Sequence, residues 1–570
     1  MGKIFNFVNH IRVTSVTEGN SFRMIAFPII TIQYTQLNMK RIVATAVCLL
    51  ALFPIHAGIN KPMMGWSSWN AFFVDISEDI ICRQAHLMDS LGLKQVGYNY
   101  VNIDDGFFGY RDKEHGIVPN PKRFPRGMRV VTDYIHALDM KAGIYTDAGT
   151  RTCGSIWNAD VAGRQAGIYG HEASDCKVYF HDWNFDFIKI DYCGGQDLYL
   201  NEQQRYTDIY NAIMKYGRPD VKVNICRWAF PGTWAEKVSD SWRISGDIQT
   251  NWERLKYVMD KNMYLSAFAR NGKYNDMDML ILGMKGKQLL IGEGLTDVED
   301  ETHFAIWCIM SSPLLIGANI DKLSAQSIDL LKNDELIAIN QDELGLQARV
   351  YQREGEAYVL AKDIQQREGT SRAVALLNAS NQPHTFRVAL KTLCLAGKTQ
   401  VRDLLHRKNL KSVKDSIIMT VEPHATACLR LTASQRLEAD TYEAEWAYLP
   451  LFHRLVKDTK TILFAPIEGA SGGMGVSYVG GKPNNVVRWD DVYSQQGGQY
   501  MVHVSYITPK EDLTMILTTN GQEQSMRLGK TDKVKKASFP VTLRQGWNTI
   551  EIGNPYDWAP DIDKITLEKQ

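Results

Sequence analysis

The chain has 570 residues, 45% hydrophobic and 22% charged, which is the balance of a globular protein long enough for two or three domains. Lys plus Arg and Asp plus Glu both number 64, so there is no basic excess to meet a nucleic acid or an anionic membrane surface. The 13 Trp and 25 Tyr suit flat or sugar-like ligands. In chain order, the first readable element is a leader. Met39, Lys40 and Arg41 precede the apolar run "IVATAVCLLALF", and a small residue, Ala57, follows. This is the pattern of a secretory signal peptide over 39–57, too short to span a bilayer comfortably, and it predicts an exported protein. Residues 1–38 then read as an upstream extension, and 1–57 are set aside from the fold. No other segment reads as transmembrane. Nine Cys are too sparse for a disulfide scaffold, and no CxxC or clustered His/Cys spacing suggests zinc.

From 58 to 340, short apolar runs alternate with helical patterns. The strand candidates are "PMMGWSSW", "YNYVNIDDG", "KAGIYTDAG", "FDFIKIDYC", "VKVNICRW", "SWRISGDI", "MYLSAFA" and "SPLLIGAN". Between them lie helices such as "SEDIICRQAHLMDSLG", with Ser77 as N-cap, "QQRYTDIYNAIMKYG", stopped by Gly217, and one starting near "TDVEDETHFAIWCIM". Eight such strands predict an α/β fold, a (β/α)8 TIM barrel, with an open doubly wound sheet as the alternative. No Gly-rich phosphate loop follows the first strand, which leaves dinucleotide binding without support. From 341 to 434 the pattern changes to short strands without long helices ("QARVYQ", "AYVLAKD", "RAVALLNA", "HTFRVAL", "SIIMTV", "ATACLRL"), predicting an all-β sandwich. A second β-rich region, 435–570, carries "QYMVHVSYI", "LTMILTTNG", "ASFPVTL", "NTIEIG" and "DKITLEK".

In a barrel of this kind the site lies at the C-terminal ends of the strands. Seven consecutive candidates end in polar or aromatic groups: Trp66 and Trp69; Asp104 and Asp105; Tyr145 and Asp147; Lys189, Asp191 and Cys193; Arg227 and Trp228; Arg243 and Asp247; then Asp276, Asp278 and Met279. Any one such Asp is more often a cap or turn residue, and Asp147 and Asp276 stay open between the two readings. The ensemble fits a polyhydroxylated substrate: carboxylates accept from hydroxyls, Lys and Arg donate, and Trp offers an apolar face. Lys189 and Asp191 are two residues apart and share one strand face, so Lys189 is expected to favour ionised Asp191 as a nucleophile. Asp247 is the acid/base candidate, with Arg243 shaping its surroundings; two carboxylates across a sugar can hydrolyse a glycosidic bond. A metal is the rival use of clustered Asp, disfavoured by the lack of His at ligand spacing and by the cations already present.

These residues resemble glycoside hydrolase family 27, the melibiase or α-galactosidase family. The motifs are "GWSSWNAF" (65–72), "NIDDGF" (102–107), "GIYTDAGTRTCG" (143–154), "FIKIDYC" (187–193), "WRISGDI" (242–248), "NDMDML" (275–280), "THFAIWCIMSSPLLIGANI" (302–320) and "INQDELGLQARVY" (339–351). The resemblance implies an exo-acting, retaining α-galactosidase acting on terminal α-D-galactosyl residues of glycans without a catalytic cofactor. Asp191 would form the glycosyl-enzyme and Asp247 would serve as acid/base. Asp104 and Asp105 would hold O6 and the axial O4, and Lys189 and Arg243 the ring hydroxyls. Trp66 and Tyr145 would wall the pocket, and Asp278 and Met279 would complete it. It further implies a disulfide between Cys153 and Cys193. The chain departs from the family at Arg227, where Cys-Glu-Trp is usual, which raises the expectation that Arg227 retunes the 2-position or meets an aglycone. The usual partner of Cys226 falls near Ser239, so that second disulfide is not expected.

The alternatives are an α-N-acetylgalactosaminidase, a β-L-arabinopyranosidase (less favoured with both Asp104 and Asp105 kept) or a non-catalytic glycan-binding protein. The 346–433 region matches the family's C-terminal sandwich. The last region resembles carbohydrate-binding modules of families 6 and 35 through "YEAE" (442–445), "GASGG" (469–473), "NNVVRW" (484–489), "GQYMVHVSY" (498–506), "GWNTIEI" (546–552) and "DWAPDIDKITL" (557–567). That resemblance implies a structural Ca2+ held by Glu443, Glu445 and Asp563.

Overall fold

The computed structural model describes residues 60–112, 116–286, 292–454, 460–508 and 512–570, and the signal-peptide reading lies outside them. Eight parallel strands form the first sheet: β1 (Met64–Ser67), β2 (Tyr100–Asn102), β3 (Lys141–Asp147), β4 (Phe187–Asp191), β5 (Lys222–Ile225), β6 (Ser241–Arg243), β7 (Tyr274–Asp276) and β8 (Leu314–Ile316). They neighbour one another in chain order, with β8 beside β1. Closure comes just past β7, where the Leu280 N–H donates to Leu315 O (2.7 Å) and Leu280 O accepts from the Gly317 N–H (2.8 Å). The fold is thus the expected TIM-type barrel. Its helices begin where the caps place them. Ser77 accepts from the Ile80 N–H ahead of helix Glu78–Ser90, and Thr296 with Glu299 forms a capping box ahead of helix Asp297–Ile309.

One strand assignment is corrected. "MYLSAFA" is not the seventh strand. Met263 closes the helix Trp252–Asn262 and Ser266–Phe268 is a single 3-10 turn; β7 lies further on, at Tyr274–Asp276. Met263, Leu265, Phe268 and Ala269 of that run are buried, but not as a strand.

The last barrel helix ends at Asn340 and the first sandwich strand begins at Arg349. The larger sandwich sheet orders Arg349–Glu354, Ala357–Asp363, Ser371–Asn378, Thr426–Arg436, Leu395–Asp403 and Lys408–Val413, and a two-stranded sheet pairs His384–Ala389 with Ser416–Val421. Strand Ala357–Asp363 is buried throughout because both its faces are covered. Val359 and Ala361 join the sandwich core, while Tyr358 and Leu360 join the core continuous with the barrel.

Only residues 437–440 separate this sandwich from the next β domain, which begins with strand Thr441–Glu443. There, one sheet centres on Asp561–Lys569 and Gly498–Thr508, and the other on Gly546–Gly553 and Leu513–Thr519. This C-terminal module docks on the barrel. Phe452 stacks on Phe230 and Phe268 (ring centroids 5.4 and 5.5 Å), and the Arg270 guanidinium lies 3.8 Å from the Tyr448 ring and pairs with Asp490 at 3.4 Å.

Candidate active site

The strand register builds the site. β3 and β4 pair in parallel with Tyr145 opposite Lys189 and Asp147 opposite Asp191, so all four side chains share one face while Ile188 and Ile190 are wholly buried in the hydrophobic core. At the C-terminal ends of the strands opens a cavity of about 570 Å³ lined by Asp104, Asp105, Tyr145, Lys189, Asp191, Arg243, Asp247, Asp278 and Met279. These nine expected residues come together.

Their electrostatics differ in one respect from the sequence reading. Lys189 Nζ donates to Asp104 Oδ2 at 2.9 Å and stands 3.9 Å from Asp191 Oδ2. Burial disfavours a charged Lys189, but the Asp104, Cys226 and Asp191 side chains outweigh it and raise its pKa well above the usual value. For Asp191, burial dominates and pushes the pKa up to about 6, with Asp247 and Asp104 adding to it and Lys189 and Arg243 opposing. Lys189 thus moderates the cost of burying the Asp191 charge rather than holding its pKa below the ordinary range. At neutral pH both charged forms prevail.

Arg243 is the other hub. Its Nη2 reaches Asp247 Oδ1 at 2.9 Å and Asp278 Oδ2 at 2.8 Å. Asp278 also accepts from the Ile248 and Met279 N–H groups, both at 2.8 Å, and so ties the Asp247 loop to the end of β7. Asp278 holds φ at +77°, a conformation that a non-glycine residue keeps only where its surroundings enforce it. Burial raises its pKa to about 6 against the pull of Arg243.

Asp105 has both oxygens engaged, by the Gly106 N–H (2.8 Å) and the Gly154 N–H (2.6 Å), and burial pushes its pKa up to about 7. The Gly154 bond fastens the site to the loop carrying Cys153, which forms a disulfide with Cys193. The resemblance had implied that pairing. Asp147 resolves as a turn residue: its Oδ1 accepts from the N–H groups of Gly149, Gly194 and Gly195. Asp276 accepts from the Asn224 amide and the Asp278 N–H, which is likewise a structural role. Cys226 is a free thiol, as the missing partner near Ser239 implied.

Two expected residues lie elsewhere. Trp66 is 0% exposed, donates its indole N–H to Ala318 O (2.9 Å) and belongs to the core; Trp69, one turn on, lines the cavity instead. Arg227 is not among the lining residues. Its Nε binds Glu202 at 2.7 Å and its guanidinium lies against Tyr192 and Trp228, while Trp228 faces the cavity. A carboxylate partner one helix away captures the guanidinium, which the sequence of β5 alone does not reveal. Trp157, in the "GSIWNAD" stretch after Cys153, also lines the cavity and escaped the strand-end reading because it sits on a loop helix.

In the C-terminal module, buried Glu445 and Asp563 and half-buried Glu443 lie close enough to influence one another, with Lys564 Nζ 3.7 Å from Glu443 Oε1: burial, then Glu443 and Asp563, push the Glu445 pKa up to about 8. Glu443 Oε2 and Glu445 Oε2 have no hydrogen-bond partner among the described residues. Ser471 ties the other two acids together, its Oγ to Glu443 (2.9 Å) and its N–H to Asp563 (2.8 Å). The trio is looser than a closed cage, since one oxygen from each does not fall within 4.8 Å of both others. Oxygen-only donors with orphaned buried atoms fit a hard cation.

Comparisons with known proteins agree with this geometry. Residues 61–342 match the melibiase family described as alpha galactosidase A, and 354–431 match the alpha galactosidase C-terminal beta sandwich domain. The chain is 35% identical over 377 residues to alpha-galactosidase 2 of Arabidopsis thaliana, covering 65% of this chain and 89% of that one. It is similar to the crystal structure of alpha-galactosidase I from Mortierella vinacea (28% identity, TM-score 0.58, 66% of this chain and 98% of that one). It also resembles a GH27 β-L-arabinopyranosidase from Geobacillus stearothermophilus (25% identity, TM-score 0.58, 66% and 97%). The barrel and the sandwich behind it are those of the melibiase family, glycoside hydrolase family 27, to which this chain belongs.

Proposed function

We propose that the protein is an exo-acting, retaining α-galactosidase. The observation that carries the reading is the meeting, in one cavity, of buried Asp191, half-exposed Asp247 and the Asp104–Lys189 pair. In the first step an Asp191 oxygen bonds to the anomeric carbon as the bond to the leaving oxygen breaks, and Asp247 gives its proton to that oxygen. In the second, Asp247 takes a proton from water, the water oxygen bonds to the anomeric carbon, and the ester bond to Asp191 breaks. Two inversions leave the configuration retained. Asp104 and Lys189, hydrogen-bonded to each other, present an acceptor and a donor to the hydroxyls that distinguish galactose. Asp105, held by two backbone N–H groups, stands beside them. The same cavity serves the arabinopyranosidase alternative less well, since two carboxylates await a C6 hydroxymethyl and O4.

The test is hydrolysis of aryl α-galactoside, aryl α-N-acetylgalactosaminide and aryl β-L-arabinopyranoside side by side, with product anomers followed by NMR. The α-galactoside should give the highest kcat/KM, by at least tenfold, and α-galactose should form first. A preference for either other glycoside, or initial β-galactose, would refute the assignment.

The leader pattern and the Cys153–Cys193 disulfide support export to an oxidising compartment. Among the described residues no helix is long and apolar enough to cross a membrane. In the C-terminal module, Glu443, Glu445 and Asp563 would hold a structural Ca2+, which would offset the repulsion among the three clustered carboxylates beyond what Lys564 supplies. Millimolar CaCl2 should then raise the Tm of the full chain above that in MgCl2, by an amount corresponding to ~2.7 kcal/mol at a hundredfold excess over Kd. Glu445→Gln should remove the difference, and equal melting in both salts would count against the site.

A further inference from the structure

A second cavity, of about 170 Å³, lies where barrel, sandwich and C-terminal module meet, and it shares no lining residue with the active-site cavity. Six arginines and Lys362 line it, against four carboxylates. Arg270 comes from the barrel, Arg488 from the module and the other four from the sandwich. Gathering like charges out of water is costly unless something of opposite sign meets them.

The carboxylates meet them only in part, because three of the four are each divided between two guanidinium groups. Asp363 Oδ1 faces Arg372 Nε at 3.1 Å and Arg436 Nη1 at 3.2 Å. Asp490 faces Arg488 at 2.9 Å and Arg270 at 3.4 Å. Asp491 pairs with Arg349 and, at 3.3 Å, with Arg367. Glu368 adds a second acid to Arg436 (3.1 Å), and Glu236 stands behind Arg270 at 3.3 Å. Lys362 meets no carboxylate there; it donates to Ser311 Oγ and Ile339 O, both at 2.7 Å. Positive charge is left over.

Hydrogen-bonding capacity is left over too. Arg372 Nε, Arg436 Nη1 and Arg488 Nε are buried, and none makes a hydrogen bond among the described residues. Their acids stand close enough but off the N–H axes, so these pairs have distance without direction. Buried donors in that state call for a further acceptor. Access is graded. The Arg372 and Asp363 side chains, 3% and 8% exposed, form the floor, while Arg367 and Asp490, each 40% exposed, mark the mouth.

We propose that this junction binds one tetrahedral oxyanion of the sulfate or phosphate class, with Arg372 and Arg436 beneath it and Arg270 and Arg488 at its sides. Guanidinium forks match oxyanion edges, and forks arriving from three domains suit a tetrahedral ion better than a planar one. The volume accommodates such an ion together with waters. An ion held by all three domains stabilises their folded arrangement by mass action. The proposal is independent of the galactosidase reading.

The test is equilibrium dialysis of the full chain against radiolabelled sulfate at physiological salt. Saturable uptake of about one sulfate per chain is expected, half-complete at ~1 mM and displaced by phosphate. Arg436→Met should weaken it by about tenfold or more. Because Arg436 also serves Asp363 and Glu368, a second variant leaves those pairs intact. Ala439, in the short connection before the module, lines the cavity, so Ala439→Glu supplies a carboxylate from within. That variant should take up no sulfate and should melt higher than wild type in sulfate-free buffer, with wild type rising toward it as sulfate is added. No saturable uptake by wild type, or undiminished uptake by folded Arg436→Met or by Ala439→Glu, would overturn the site. So would a lower Tm for Ala439→Glu without sulfate, since a network already balanced by its own acids has no place for another.

Discussion

Asp191→Ala should lower kcat on an aryl α-galactoside by ~10⁴-fold or more while leaving the protein folded. The loss is large because the neighbouring carboxylates are engaged elsewhere. Asp147, opposite Asp191 in the register, is committed to three backbone N–H groups, and Asp104 is tied to Lys189. The substitution leaves a small void beside a cation, so azide should enter it, attack from the same side and release β-galactosyl azide. Folding should not suffer. The native Asp191 carboxyl has a raised pKa, so its charge costs the folded state stability above pH about 6, and removing it relieves that cost. The same raised pKa sets the wild-type acid limb: kcat/KM should climb as pH rises through about 6 and Asp191 ionises. Full activity in the variant, or no galactosyl azide, would contradict the nucleophile assignment.

Arg243→Met should cost both activity and stability, the latter by ~3–5 kcal/mol in denaturant melts. Arg243 is buried and bridges Asp247 and Asp278, so its removal takes from the buried Asp278 carboxylate its one ion-pair partner among the described residues. The pH dependence of the defect has a definite sign. A carboxyl whose folded pKa is raised above the unfolded value costs stability when ionised, and that cost disappears as pH falls through the folded pKa. Asp278 is raised to about 6 even with Arg243 present and would rise further without it, so the variant should recover part of its stability relative to wild type as pH falls toward about 6, with no further relative gain below. Arg243→Met with Asp278→Asn should be more stable than the single variant. If the two changes simply add, the pairing is not what Arg243 contributes.

Much of the barrel was legible because its strands carry apolar runs and its helices carry side-chain caps, as at Ser77 and Thr296. β7 was not, because a three-residue strand with the sequence Tyr-Asn-Asp leaves no periodicity to read, while "MYLSAFA" has the composition of a strand and the geometry of a turn. Strands Leu395–Asp403 and Lys408–Val413 were also passed over; their solvent faces are polar and the first contains Gly397. In the site, residues on one strand were placed correctly by parity, as with Lys189 and Asp191. Trp66 and Trp69 could not be told apart, because which of them turns inward depends on where β1 ends. Arg227 was misplaced because its partner, Glu202, sits on a helix that only the fold brings alongside.

The short 437–440 connection and the Phe452 contact with Phe230 and Phe268 make the C-terminal module part of the barrel's body, not a tethered appendage. A flexible linker would let a module search, with an effective concentration that declines gradually as the span grows. Here the module has no such freedom: Phe452 seated on Phe230 and Phe268 joins its core to that of the barrel, so the two should melt in a single transition and not one after the other.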